Sequence, residues 1–470
     1  MELSFAAPGL AREFAADLAA NLDVDALLER IPQIKNGTPL FFEGGHPARG
    51  WFNFGVLLND AVADSTSRQY AYSAMRFANF IRDQGLELKQ VTEADIIAYR
   101  MELTERAWAP ITLTSFNTDA VVIRKIFAYF IHLGWLSHRP WFRMGAYDAL
   151  SRPNTRQASA RSISISNWLA FRDIGLGGMR PDGRLDSDFG GRFARRNVLG
   201  AQLALSTGMR LAEFSSLLVM EFGLDAPNRS SVSLTLKGAA KGNRERHVDI
   251  PASIYDRVRV YVQMERPAYA SRLVSRRSTR HGLLIIEEFD AEKGRVLGNQ
   301  GGKEFSYLLK ELTFEQRRKA FLDRGRGLEP AALFLTERGR MPGKDAWQDV
   351  FRVASARVLS FASTASYLQG GVQPHSLRHT FAVIMLKFYS ALPDFEGDPL
   401  IEVQRLLGHA SPATTAKYVQ YLRDFGAEIE EAMSGWNDEF ASTAQLIESY
   451  NARQHELKHS VLGLEAQGAE

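Results

Sequence analysis

Cysteine is absent from this 470-residue chain. That absence excludes disulfides, thiolate nucleophiles and cysteine-ligated zinc together, and it fits a reducing compartment. Long apolar runs are missing as well: no stretch reaches the roughly 18 residues a membrane-spanning helix needs. The first twenty residues carry Glu2, Arg12, Glu13 and Asp17, so no secretory leader is expected. There is no Walker-type phosphate loop, no acidic cluster spaced for a metal and no repeat of fixed period. With 45% hydrophobic and 24% charged residues, disordered and collagen-like classes are excluded too. What remains is an intracellular globular protein, long enough for two to four domains.

The net charge of +3 hides an asymmetry. From Asp424 to the end, ten acids face only Arg453 and Lys458. The preceding 423 residues therefore hold 55 basic against 44 acidic side chains. A positive body with an acidic tail suits a protein that binds a polyanion.

Periodicity divides the chain. Residues 1–56 form an N-terminal extension with a short helical pattern, Leu10 to Leu22, and a Gly/Pro-bearing loop around Gly44–Gly50. Residues 57–145 read as a small helical domain. Tyr70, Met75, Phe77 and Ile81 mark one amphipathic stretch, and Ile96, Ile97 and Tyr99 mark another. A third runs from Thr112 to Leu133, stopped by Gly134 and Pro140; Phe127, Phe130 and Trp135 are expected in its core. Residues 146–162 form a basic linker with Arg152, Arg156 and Arg161, either a solvated loop or a strap on a phosphate backbone. A second domain spans 163–425. Alternation at Val232, Leu234 and Leu236, a Gly-rich turn, then Val248 and Ile250 predict a β-hairpin, and the rest reads as mostly helical. Residues 426–470 form an acidic tail with apolar residues at helical spacing.

Four segments of the second domain carry chemistry. They are Ser206-Thr207-Gly208-Met209-Arg210-Leu211-Ala212-Glu213; Lys241-Gly242-Asn243-Arg244-Glu245-Arg246; Pro374-His375-Ser376-Leu377-Arg378-His379; and Leu407-Gly408-His409 through to Thr415-Ala416-Lys417-Tyr418. Arginine stays charged at any working pH and offers a planar fork matched to phosphate oxygens. Two arginines can neutralise the non-bridging oxygens of a phosphodiester as it becomes pentacoordinate. A tyrosine, with a pKa near ~10, becomes a nucleophile only where positive neighbours stabilise its phenolate. Lysine and histidine can then move protons on the leaving and attacking oxygens. The set is chemically complete for phosphoryl transfer through tyrosine without a metal or other cofactor. Pro374 predicts a helix start that puts His375 and Arg378 on one face, and Ser411-Pro412 predicts another, about two turns ahead of Tyr418.

In these residues the chain resembles the tyrosine recombinases, the phage integrase family that includes the Xer and Cre recombinases. The resemblance covers about 60–425. It implies a mainly α fold with a small β-hairpin or sheet: a helical core-binding domain, then a mixed α/β catalytic domain of the DNA breaking-rejoining type. It implies that Arg210 and Arg378 bind the scissile phosphate and that Glu213 supports Arg210. It further implies that Lys241 is the general acid for the leaving 5′-hydroxyl, His375 an acid/base group, His409 a hydrogen-bonding partner of the phosphate, and Tyr418 the nucleophile. Rivals are Tyr421 for Tyr418 and Lys237 for Lys241, while His379 reads as an ordinary helix histidine.

The activity implied is site-specific DNA recombination or integration, as in a mobile element, by a homotetramer on double-stranded DNA in the cytoplasm and nucleoid, with accessory factors left open. Arg124, Lys125, Arg152, Arg156 and Arg161 are the DNA-contact candidates of the first domain and linker. Two alternatives stand beside this reading. One is a type IB topoisomerase-like or hairpin-forming resolvase with the same chemistry. The other is a non-catalytic DNA-binding partner with the same fold. The chain departs from the family pattern by an insertion at about 265–330 that carries Arg266, Arg272, Arg276, Arg277 and Arg280 without an acid before Glu287. It reads either as a further DNA-contacting element or as an exposed addition.

Overall fold

The computed structural model describes residues 1–6, 34, 37–62, 64–106, 108, 110–144, 147–150, 162–223, 231–240, 244–274, 282–323, 325, 327–364, 371–392, 395–409 and 415. The chain forms two compact units, Met1–Ala158 and Ser159–Glu470. The helical pattern at Leu10 to Leu22 and the acidic tail lie outside the described residues. No helix among the described residues is long and apolar enough to cross a membrane.

The first unit opens with a three-stranded antiparallel sheet, β1 (Glu2–Phe5), β2 (Pro39–Glu43) and β3 (His46–Pro47), with Glu2 opposite Phe42. Four helices follow: α1 (Trp51–Ala61), α2 (Asp64–Asp83), α3 (Glu93–Met101) and α4 (Leu113–His132). The short strands β4 (Arg143–Met144) and β5 (Tyr147–Asp148) close it. The helices start where local chemistry dictates. Thr92 and Thr112 cap α3 and α4 by accepting from the backbone N–H groups of Asp95 and Ser115, which satisfies donors that a helix leaves orphaned. Phe77, Ile96, Tyr99, Ile123, Phe127 and Phe130 are buried as their 3.6-residue spacing requires. Trp135 differs from expectation. Its ring meets Phe130 at a tilt of 45° with the Arg49 guanidinium 5.5 Å from the ring centre, yet it remains 46% exposed, because Gly134 at φ +72° turns the chain away from α4 just before it.

The second unit contains α5 (Ile165–Leu169), continued by a wider π-type turn, then α6 (Ala194–Thr207) and α7 (Leu211–Ser215). The predicted hairpin follows as β6 (Ser231–Leu236) and β7 (Arg246–Pro251), paired from Ser231↔Pro251 to Leu236↔Arg246. Next come α8 (Ala252–Val260) and α9 (Arg266–Val274). Helix α10 (Phe314–Arg318) lies among the strands β8 (Leu284–Asp290), β9 (Arg295–Gln300), β10 (Lys303–Leu308), β11 (Ala320–Asp323) and β12 (Leu328–Pro330). Three long helical elements end the described chain: α11 (Lys344–Ser360), α12 (Pro374–Ala391) and α13 (Pro399–Leu407). Their apolar faces enclose one core with α6 and the hairpin, including Trp168, Leu203, Phe214, Ile250, Trp347, Leu377 and Leu407.

One region differs from the expectation of mostly helix. Residues 284–330 build a five-stranded sheet in the order β10-β9-β8-β11-β12, with β11 parallel to β8 and the other pairs antiparallel. Gly301-Gly302, both at positive φ, make the tight turn between β9 and β10, a hairpin signal in plain view. The basic run ahead of the sheet is in part structural. Arg266 is 2% exposed and its guanidinium binds the Glu329 carboxylate and the Pro330 and Ala332 carbonyls. Arg272 lies over the Tyr269 ring and binds Glu337. Arg276, Arg277 and Arg280 lie outside the described residues.

Close packing leaves no slack where α6 crosses α11. A Cβ at Gly200 would sit 2.4 Å from Cη2 of Trp347. Alanine is the better helix former by about 1 kcal/mol, yet Gly200→Ala is expected to destabilise the second unit by about 1–3 kcal/mol through overpacking. Urea denaturation reads this directly, and a gain in stability would contradict the packing described.

Candidate functional site

Two helix ends meet in the core of the second unit. Helix α6 stops at Gly208 (φ +59°) and α13 stops at Gly408 (φ +60°), each a left-handed cap that glycine adopts without steric cost. The last carbonyls of a helix lack internal partners and carry the negative end of its dipole. Three arginines supply the missing donors. Arg378, on the first turn of α12 and 1% exposed, donates to the Gly208 carbonyl at 2.6 Å and to the Leu407 carbonyl at 2.6 Å. Arg210, the residue ahead of α7, donates to the Gly408 carbonyl at 3.3 Å. Arg246, at the start of β7, donates to the Leu406 carbonyl.

Glu213 stands at the centre of this group with no exposure. Its carboxylate accepts the Arg210 backbone N–H at 2.8 Å and the Arg210 guanidinium at 3.0 Å, and it also binds Arg246. Burial by itself would raise its pKa. The Arg246 charge, the Arg210 backbone N–H and the charges of Arg210 and Arg378 outweigh that and hold it below 4.5, so the carboxylate stays ionised. Three guanidinium groups against one carboxylate leave two positive charges in the cluster, and the Arg210 side chain is the one of the first pair that keeps appreciable exposure, at 23%.

His409 follows Gly408 directly. Its Nδ1 lies 2.9 Å from the Thr415 hydroxyl, and its backbone N–H and carbonyl are both held by Gln404. Burial, then the charges of Arg378, Arg210 and Arg246 and the neighbouring His375, lower its pKa to about 3. It is a neutral hydrogen-bonding group at physiological pH. His375 sits one turn before His379 on α12, the two rings 4.3 Å apart edge to face. Burial, His375 and Arg378 hold His379 at about 4.

Thus the structure brings Arg210, Glu213, Arg378 and His409 together and puts His375 on the same helical turn as Arg378. Lys241, Tyr418 and its rival Tyr421, together with the start at Ser411-Pro412, lie outside the described residues, as do Arg152, Arg156 and Arg161. Lys237, the rival lysine, is committed elsewhere: its ammonium binds Glu311 at 2.9 Å, and that contact raises its pKa. Arg124 on α4 pairs with the Asp148 carboxylate at 2.7 Å, beside the partly exposed Lys125.

Sequence reasoning missed Arg246 and Thr415. Arg246 carries a legible signal, since it alternates with Val248 and Ile250 and therefore shares their inward face, where an arginine needs a partner. Thr415, buried at 0% exposure, gives no comparable signal. Among the described residues no group of three or more His, Asp or Glu side chains is arranged to hold a metal ion. The cluster is chemically suited to an anion: cations fixed by Glu213 and by helix-end carbonyls stand beside one neutral imidazole.

Residues 192–423 match the sequence model of the phage integrase family. The chain is 24% identical to the tyrosine recombinase XerD of Mycobacterium leprae over 390 residues, which span 81% of this chain and 95% of that protein. It is 35% identical over 148 residues to the tyrosine recombinase XerC of Pelobacter propionicus, across 31% of this chain and 43% of that one. Among solved structures, the XerH site-specific recombinase bound to palindromic difH substrate superposes with a TM-score of 0.49 at 14% identity, over 91% of this chain and 94% of that one.

Replacing Glu213 by glutamine leaves Arg246 buried without a counter-charge and is expected to cost about 3–5 kcal/mol. The wild-type carboxylate contributes stability above its unfolded pKa of 4.5 and loses it as pH falls below that value. Denaturation at pH 7 and across pH 5 to 3 should therefore show a less stable Glu213→Gln with a shallower acid limb. Equal limbs in the two proteins would contradict the assignment.

Proposed function

We propose that the chain, whose residues 192–423 match the phage integrase family model, is a tyrosine recombinase that cuts and rejoins duplex DNA through a 3′-phosphotyrosyl link formed by Tyr418. The observation that carries this reading is the cluster of Arg210, Arg378 and His409 around the ends of α6 and α13, with Glu213 holding Arg210. A phosphodiester carries one negative charge and its pentacoordinate transition state two, which the net two positive charges of the cluster match. Arg210 and Arg378 bind the non-bridging oxygens, and neutral His409 donates a hydrogen bond to one of them.

In the proposed step the Tyr418 oxygen attacks phosphorus while the bond to the 5′-oxygen breaks. The phenolic proton passes to His375, and Lys241 protonates the leaving 5′-hydroxyl. A 5′-hydroxyl of another strand then attacks the phosphotyrosine and releases the enzyme. The phosphodiester bond is conserved throughout as an ester, so no nucleotide is consumed. Strand exchange between two duplexes requires four such sites, hence a homotetramer on DNA within the nucleoid. Arg124, Lys125, Arg152, Arg156 and Arg161 are assigned to phosphate contacts outside the cleavage site, where they add affinity that weakens as salt rises.

Covalent trapping tests the reading. On nicked duplexes tiled across the DNA flanking its own gene, an SDS-resistant, protease-sensitive adduct should form, and Tyr418→Phe should abolish it. An adduct that survives in Tyr418→Phe would move the nucleophile to Tyr421 or elsewhere. Binding without any adduct would favour a non-catalytic partner, and relaxed circles or closed ends instead of exchanged strands would identify the topoisomerase-like or hairpin-forming alternative.

The electrostatics add a second expectation. With His409 held at about 3, adduct formation should show no limb from its protonation between pH 5 and 8. His409→Gln, which keeps a donor, should retain at least about tenfold more activity than His409→Ala, within the range one preorganised donor supplies. An acid limb in that window that disappears in His409→Gln would overturn this assignment.

A further inference from the structure

We propose that Arg246 is a positioning residue for strand cleavage, tying the start of β7, five residues after Lys241 in the sequence, to Glu213 and to the end of α13, which His409 follows. The inference deepens the proposed function and rests on it.

The placement is specific. Arg246 opens β7 opposite Leu236, the last residue of β6, and lies five residues after Lys241 in the sequence. Its side chain is 3% exposed and points inward with Val248 and Ile250. One guanidinium nitrogen binds Glu213, on α7, and another binds the Leu406 carbonyl at the end of α13. The fit at α13 is tight, because a Cβ on Gly408 would lie 2.9 Å from Cδ of Arg246. The elements α7, β7 and α13 therefore meet on one side chain; in the sequence Arg210 immediately precedes α7, Lys241 lies five residues before β7 and His409 lies two residues after α13.

Stability alone does not account for an arginine here. A buried ion pair is commonly no more stabilising than an apolar replacement of similar volume. Its Nε–H, moreover, is buried without an acceptor among the described residues, an arrangement that lowers its contribution further. In the proposed cleavage site the phosphate is assigned to Arg210 and Arg378, and the Arg246 guanidinium is instead taken up by Glu213 and the Leu406 carbonyl. What it fixes is relative position. If Arg246 is removed, Glu213 keeps both of its contacts to Arg210, and Arg378 still holds Leu407. The strand end next to Lys241 is then the part released from the cluster. The defect should accordingly be one of leaving-group protonation.

The test compares two nicked duplexes in single-turnover adduct formation by the full chain. One carries an ordinary scissile phosphodiester, and in the other sulfur replaces the bridging 5′-oxygen. A thiolate, with a pKa near ~8.5 for its conjugate acid, departs without a proton, unlike an alkoxide. Arg246→Met and, as a milder change that still offers a donor to Glu213, Arg246→Lys are measured beside Lys241→Ala and Arg378→Ala.

The expected result is that Arg246→Met loses about 10²-fold or more on the ordinary duplex, the range that general acid catalysis supplies. On the sulfur duplex it should return to within about tenfold of wild type, as Lys241→Ala should, while Arg378→Ala should not. Arg246→Lys should show the same pattern with a smaller loss, and it carries the test if Arg246→Met fails to fold. Equal losses on both duplexes, or no loss on the ordinary one, would overturn the proposal. If wild type forms no adduct on either duplex, it is the reading of the site as a cleavage centre that fails, and the proposal falls with it.

Discussion

One buried carboxylate organises the second unit. Glu213 accepts from two arginines and from a backbone N–H, and those arginines reach carbonyls at the end of α13. Arg378 completes the arrangement by bridging the ends of α6 and α13. Each partner answers a debt of another: helix C-termini need donors, buried guanidinium groups need acceptors, and a buried carboxylate needs cations. The result is a set of cations held in place before any anion arrives. A site so preorganised undergoes little rearrangement when negative charge develops on a substrate, which is the chief requirement of electrostatic catalysis.

The same constraint explains the glycines. Gly208 and Gly408 are needed for their positive φ, and also for space, since a Cβ at Gly208 would lie 2.4 Å from Phe381 and one at Gly408 would meet Arg246. The sequence Thr-Gly-Met-Arg thus combines a helix stop with an arginine of the cationic cluster, and Leu-Gly-His combines the stop of α13 with the histidine beside it. Function and local folding share residues here, so neither can be altered independently.

How much of this was legible before the structure depends on the kind of signal. The helices of residues 65–140 follow from apolar periodicity, and the hairpin from alternation around a Gly-rich turn. Arg210, Glu213, His375, Arg378 and His409 were identified from short motifs whose order matches one family, and the structure groups Arg210, Glu213, Arg378 and His409. Arg246 stands in a quoted motif without a role of its own, although its alternation with Val248 and Ile250 points inward. Thr415 depends on a contact six residues away in sequence that no periodicity records. The five-stranded sheet was missed because short apolar strands and buried helices look alike when strand length alone must decide. Arg266 reads as part of a surface basic run, yet it is an internal tie to Glu329.

The central claim is that Arg210 and Arg378, besides tying helix ends together, act on phosphate charge. Replacing one non-bridging oxygen of the scissile phosphate with a methyl group removes that charge and leaves the rest of the substrate unchanged. Cleavage rates of wild type and Arg378→Ala on the two substrates measure the claim directly. On the phosphodiester the variant should fall about 10²–10³-fold, the cost of losing one preorganised charge donor, and on the methylphosphonate most of that difference should vanish. An equal fall on both substrates would mean that Arg378 serves only to hold Gly208 and Leu407 together, and the account of the site as a charge-neutralising phosphate centre would be wrong.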